Sequence, residues 1–273
     1  MIDIELSALL PLAGALVAAG AFAGVLAGLL GVGGGIVIVP ALYHLFATIG
    51  IDDSVRMHVA VGTSLSTIIA TSISSMRAHH RRGSVDWGLL KSWGPAVAVG
   101  VLVGTALAGA ASADALEAVF GVVALLVALY MAFAPATLRL AQDLPRGLPK
   151  LGIGTVIGTL SAMMGIGGGS LTVPVLTLCG VDIRRAVGTA SGVGLIIAVP
   201  GTIGFAVSGW GTPGLPPGSL GYVSVVGFAV LVPTTVLCAP LGARLAHTIP
   251  QPVLRRAFAA FLAITAIRLL IEA

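Results

Sequence analysis

Charge is what this chain lacks most. Aspartate, glutamate, lysine and arginine supply 9% of its 273 residues, against roughly 25% in soluble domains. No polar stretch exceeds about 15 residues, too few to fold into a separate soluble domain. The only cysteines, Cys179 and Cys238, offer neither a disulfide framework nor metal-ligand spacing, so both read as small packing residues. His-Glu-x-x-His, Gly-x-Ser-x-Gly and Walker loops are missing, and no carboxylate pair sits inside an apolar run. An intramembrane enzyme would have only His44 and His58 as acid or base. The chain is therefore read as a non-enzyme, and no cofactor or metal is implied.

Aliphatic residues fill the space that charge leaves. Apolar residues make up 57% of the chain and the mean hydropathy is +1.09. The apolar runs are continuous rather than alternating, which means helices and not barrel strands. Charges and Gly/Pro clusters divide the chain into ten apolar segments, at roughly 9–30, 36–49, 59–76, 88–111, 115–135, 151–164, 170–180, 187–208, 220–242 and 253–271. The expected fold is an all-α polytopic membrane protein, with the lipid bilayer as its main partner. The N-terminus, Met1 to Glu5, is acidic and lacks the basic region of a signal peptide, so the first helix is expected to be retained.

The second segment of each half is short and follows a glycine cluster. Gly31-Val-Gly-Gly-Gly-Ile-Val-Ile-Val-Pro40 recurs 134 residues later as Gly165-Ile-Gly-Gly-Gly-Ser-Leu-Thr-Val-Pro174. Gly24 pairs with Gly158 at the same offset. Gly62-Thr63 matches Gly188-Thr189 after a loop read as eight residues shorter, and Pro95, Gly104 and Phe120 match Pro233, Gly242 and Phe258 at an offset of 138. The division is a first repeat over 1–138, a cytoplasmic linker over 139–150 and a second repeat over 151–273.

Five crossings per repeat would invert the second half, and the loop charges agree. With both termini outside, inner loops hold 12 of the 14 lysines and arginines: Arg77, Arg81, Arg82, Lys91, Arg139, Arg146, Lys150, Arg184, Arg185, Arg244, Arg255 and Arg256. Outer segments hold Asp3, Glu5, Asp52, Asp53, Arg56, Asp114, Glu117 and Glu272. This is the positive-inside pattern, so the basic pI gives no reason to expect a nucleic-acid partner. The short segments leave two layouts open, full crossings or re-entrant hairpins, and hence six to ten spans.

Broken helices in inverted repeats are a signature of secondary transporters, with substrate held at the repeat interface. Gly33, Gly34, Gly35 and Ile36 in the first copy, and Gly167, Gly168, Gly169 and Ser170 in the second, would expose helix-start N–H groups suited to a small anion. Glycines can also serve only close helix packing, which is the reading for Gly24 and Gly28. Thr63, Ser64, Thr67, Thr71, Ser74 and Ser75 form a hydroxyl arc on the third segment, matched by Thr189 and Ser191. Such hydroxyls can line an aqueous path, or can bond their own helix. His44, His58, Pro40 and Pro174 are candidates for coupling or gating, with protons as a candidate co-substrate; a buried, hydrogen-bonded histidine is the alternative.

The paired glycine–proline motifs, with Ala60-Val-Gly-Thr-Ser64 and Ala186-Val-Gly-Thr-Ala190, resemble the TauE/SafE family of sulfite exporters and organosulfonate carriers over essentially the whole chain. The resemblance implies a bacterial or archaeal inner-membrane carrier of sulfite, sulfoacetate or another organosulfonate. A membrane partner that delivers sulfur species to an enzyme, without transporting, is the alternative. Ala190 departs from its counterpart Ser64, which makes the two motifs unequal.

Overall fold

The computed structural model describes residues 6–31, 33–134, 140–245 and 251–272. The acidic N-terminus, the boundary at 138/139 with Arg139, and Ala273 lie outside the described residues. Ten α-helices follow the ten apolar segments: α1 (Leu6–Leu30), α2 (Gly35–Thr48), α3 (Asp53–His80), α4 (Trp87–Ala110), α5 (Ala113–Phe133), α6 (Leu148–Met164), α7 (Gly169–Leu178), α8 (Ile183–Ser208), α9 (Val225–Leu245) and α10 (Gln251–Glu272). Helices α3, α4, α5, α8 and α9 are each long and apolar enough to cross a membrane.

Side-chain caps set several helix starts. Asp52 accepts from Ser54 N–H, Asp86 from Leu89 N–H, Ser112 from Ala115 N–H, and Asp182 from Arg184 and Arg185 N–H. These bonds satisfy donors that a helix start leaves open. Asp52, placed by the sequence among the outer charges, is thus a cap, and Asp53 pairs with Arg56.

The most extensive helix contacts keep their pattern when the first five helices are exchanged with the last five. Helix α1 packs on α9 as α6 packs on α4. Likewise α3 contacts α9 as α8 contacts α4, α2 contacts α3 as α7 contacts α8, and the pairs α3–α8 and α5–α10 map onto themselves. Glycines let the outer pairs approach closely. A Cβ at Gly24 would lie 2.6 Å from Thr235 O, and one at Gly28 would overlap Ala239 O. On the equivalent pair, a Cβ at Gly158 would overlap Val97 O, and one at Gly104 would lie 2.9 Å from Thr159 Cα. Small residues that bring backbones together take the place of a hydrophobic driving force in lipid.

Helices α3 and α8 form the centre, with Leu65, Ile68, Ile197 and Phe205 fully or almost fully buried. The eight-residue difference between the halves is not in the connecting loop. Gly50 and Gly180 close α2 and α7 with the same turn, and Asp52 and Asp182 then cap α3 and α8. The offset falls from 134 at Gly35 and Gly169 to 130 at the caps, and to 126 at Gly62 and Gly188. Helix α7 is therefore about one turn shorter than α2, and about one turn is missing from the start of α8.

A hairpin unseen in the sequence precedes α9. Ser219–Leu220 pairs with Val223–Ser224 around Gly221 and Tyr222, and Gly221 takes φ +54, as the first position of a two-residue hairpin turn requires. The tip wedges against α8 and α3: Tyr222 N–H donates to Phe205 O at 3.1 Å, and its ring lies 4.7 Å from the His58 ring. Sequence alone extended the apolar segment back to 220, because these residues are as apolar as the helix they precede.

Candidate functional site

The two glycine breaks meet. A Cβ at Gly33 would lie 3.2 Å from Gly167 Cα, and one at Gly35 would lie 2.9 Å from Ile166 Cα. Gly33 and Gly35 also abut Ile68, midway along α3, while Gly168 abuts Val193 and Ile197, midway along α8. The breaks are thus level with the middle of the two central helices. From there α2 runs back beside the first half of α3, where Arg56 lies 5.4 Å from the centre of the Tyr43 ring.

Each break ends in a left-handed glycine that starts a helix. Gly34 has φ +81 and Gly168 has φ +70, and neither provides a side-chain cap. Only glycine adopts this conformation without a Cβ penalty. Gly34 O accepts from Val37 and Ile38 N–H, and Gly168 O from Leu171 and Thr172 N–H. The N–H groups of the two residues before each of these pairs, Gly35 and Ile36, Gly169 and Ser170, come too early for an intrahelical partner. All four residues are buried. Pro40 and Pro174 lie one turn further in, where each removes the N–H that would bond the carbonyl of Ile36 or Ser170.

Most of the hydroxyl arc is spent on structure. Thr67 donates to Ser64 O at 2.7 Å and Thr71 to Thr67 O at 2.9 Å, within α3 itself. Ser74 donates to Val236 O and Ser75 to Ala27 O on neighbouring helices. Ser191 donates to Gly188 O at 2.6 Å. Thr63 Oγ1 accepts from Ser224 N–H at 2.8 Å, and Thr189 Oγ1 accepts from Asp86 N–H at 3.0 Å. These two threonines play matching parts: each ties a central helix to the residue that leads into α9 or α4. Ser64 alone in the arc reaches a break, donating to Gly165 O at 2.7 Å.

The hydroxyls that lack a partner lie elsewhere. Ser72, Ser161, Ser170 and Thr172 are at least 97% buried, and their oxygens make no hydrogen bond; the Ser219 hydroxyl, on the hairpin, is likewise without a partner. Ser72 lies outside the arc read from the sequence. Ser161 is on the last turn of α6, and Ser170 and Thr172 are on the first turns of α7. A signal for three of them was present in the repeat: at the 134-residue offset their counterparts are Ala27, Ile36 and Ile38. Ser170 also lines a nearly apolar cavity of about 270 Å³ between α5, α6 and α7.

The histidines stand apart from the breaks. His58 is buried near the start of α3, about 9 Å along the helix from Ser64, with Nε2 3.1 Å from Ala108 O and Nδ1 unpartnered. His44 is half-buried beside Tyr43, their ring centres 5.5 Å apart. Glu117, grouped in sequence with the outward-facing charges, is buried against Tyr43, to which it hydrogen-bonds, in the field of Arg56.

Comparison with known proteins now adds to this geometry. The family described as "Sulfite exporter TauE/SafE" matches residues 16–269. The chain belongs to this family. A probable membrane transporter protein of Haemophilus influenzae is 33% identical over 253 residues, covering 93% of this chain and 96% of the relative. One from Methanocaldococcus jannaschii is 27% identical, over 88% of this chain and 85% of the relative, and one from Bacillus subtilis is 31% identical, over 71% and 78%. No solved structure matches the chain. A multi-pass TauE/SafE membrane protein of the transporter type is the result, and the meeting glycine breaks are its candidate substrate site.

Proposed function

We propose that this protein is a secondary transporter that carries a small sulfur-containing anion across the inner membrane by alternating access. Sulfite, sulfoacetate and other organosulfonates are the candidate substrates. The reading rests above all on two buried, uncapped helix starts that meet level with the middle of α3 and α8. Helix starts carry partial positive charge and open N–H donors, so they bind an anion without the cost of burying a lysine or arginine. The two halves are inverted repeats with both termini outside, and they rock about the site. A proton gradient, or the substrate's own gradient, supplies the energy.

The test uses the full chain in liposomes with labelled sulfite and sulfoacetate. Uptake or release well above empty vesicles is expected. No flux across a panel of such anions would sink the proposal, and stable co-purification with a soluble enzyme would then favour a partner role. A folded Gly168→Leu protein that still transports normally would take the glycine break out of the mechanism.

A further inference from the structure

We infer that the anion is held by the second glycine break alone, through the start of α7, Thr172 and Ser72, while the first break is a closed structural mate. This rests on the anion-transport reading and says which copy does the binding.

The breaks match at their bounding glycines, Gly31 with Gly165 and Gly34 with Gly168, and differ in their surroundings. Around the first, the first turns of α2 carry Ile36 and Ile38, and Ile68 of α3 lies 2.8–2.9 Å from the Cβ positions of Gly33 and Gly35. The repeat counterparts of these three residues are Ser170, Thr172 and Gly194. Each exchange replaces hydrocarbon by a hydroxyl or by nothing. A fourth exchange runs the same way, since Ser72 corresponds to Ala198; Val193 and Ile197, which abut Gly168, correspond instead to Thr67 and Thr71, whose hydroxyls are spent on α3 carbonyls.

The geometry brings these groups to one place. A Cβ at Gly194 would lie 2.7 Å from Ser72 Oγ and 2.8 Å from Gly167 O, so the bare backbone of α8 lets the Ser72 hydroxyl sit against the break. Thr172 Oγ1 lies 3.6 Å from the Cβ position of Gly168, on the side of α7 that faces its own start. Thr172 is fully buried, Ser72 is 1% exposed, and neither hydroxyl has a partner. Buried hydroxyls are normally paired. Two unpaired ones beside an uncapped helix start are donors awaiting an acceptor. With the Gly169 and Ser170 N–H groups they make a neutral set of donors, suited to a headgroup that presents three oxygens, as sulfite and sulfonates do. A carboxylate presents only two.

The experiment compares Thr172→Val and Ser72→Ala with Ile38→Val and Ala198→Gly in the full chain. It measures thermal unfolding in detergent, with and without sulfite, sulfoacetate or acetate, and liposome flux. Removing an unpartnered buried hydroxyl leaves the ligand-free Tm unchanged or higher, whereas a structural hydroxyl would lower it. The second-break variants are expected to lose sulfite or sulfoacetate affinity at least tenfold. Those at the first break keep it within about twofold, and acetate stabilises none of them. The inference is overturned, with transport left standing, if wild type binds and carries the anion but the second-break variants bind it as well, or if both pairs lose affinity equally. It is also overturned if sodium, not the anion, stabilises the wild type through these hydroxyls. Wild-type protein that neither binds nor carries any of the anions defeats the transport proposal and this inference together.

Discussion

The first glycine break has Ile36, Ile38 and Ile68 beside it, and the second has Ser170, Thr172 and Ser72 together with Ile197. The glycines that bound each break match in conformation, whereas Gly33, at φ +75, has no left-handed counterpart at Gly167. Gly31 and Gly165 have φ +67 and +66, and Gly34 and Gly168 have +81 and +70. A Cβ at Gly31 would run into Val187 O, and one at Gly165 would lie 3.0 Å from Val61 O, at equivalent places on α8 and α3. The two copies of the motif agree where backbone sterics demand glycine and differ in the side chains around them. Two breaks can therefore match at their glycines while differing in the polar groups beside them.

The largest expected effect tests the shared backbone. Gly34→Ala must place a Cβ in the left-handed region, at about 1–2 kcal/mol, and 2.8 Å from Ala23 O, which adds about 1–3 kcal/mol of overpacking. Gly168→Ala meets the flexible tip of Ile197 instead, so it should cost the left-handed term and little more. Unfolding in detergent should rank Gly34→Ala as the more damaging. Equal losses would mean that the first break has more room than the contacts allow.

Thr63→Val and Thr189→Val come next. Each leaves an N–H donor, on Ser224 or Asp86, without its acceptor, and each should cost about 1–3 kcal/mol. Matching losses are expected, since these threonines do the same job in both halves. A large transport defect in Thr63→Val with unchanged stability would instead return Thr63 to the ligand site.

Ser64 and Ala190 sharpen the contrast. Ser64→Ala strands Gly165 O inside the protein and should cost about 1–3 kcal/mol, while Ala190→Ser offers Gly31 O a partner and should gain about 0.5–1.5 kcal/mol. Destabilisation by Ala190→Ser would show that the two breaks differ in spacing as well as in side chains.

The smallest effect concerns the cap of α3. The Ser54 hydroxyl and N–H bonded to Asp52 hold its carboxyl below the usual aspartate range. Folding therefore favours the deprotonated form. The stability it adds is complete above the unfolded value of about 4 and is lost as pH falls through the lower folded value. Asp52→Asn should flatten that acid limb of a stability–pH curve. An unchanged limb would show that the cap's charge contributes nothing.

The helices were legible because lipid-compatible runs are long and the charges between them are few. The glycine–proline motifs were legible as breaks for the same reason: little else interrupts an apolar helix. The hydroxyl arc left two readings open, a path or bonds to its own helix, since helical periodicity shows which residues share a face but not what stands opposite. Thr67 and Thr71 turn to their own carbonyls, whereas Ser72, just off the arc, is the one left without a partner. Glu117 misled, because position near a helix end suggests solvent until Tyr43 and Arg56 are seen beside it.

Sequence by itself determined the ten helices, the recurrence of the glycine–proline motif and the two places where the backbone must break, because each follows from local hydropathy and from the lack of a Cβ. Tertiary structure decided that the breaks touch, that one turn is missing from each of two helices rather than from a loop, and which hydroxyls remain unpaired. Those outcomes depend on contacts between residues about 100 or more positions apart, such as Ser64 with Gly165 and Ser72 with Gly194. No local pattern encodes such distances.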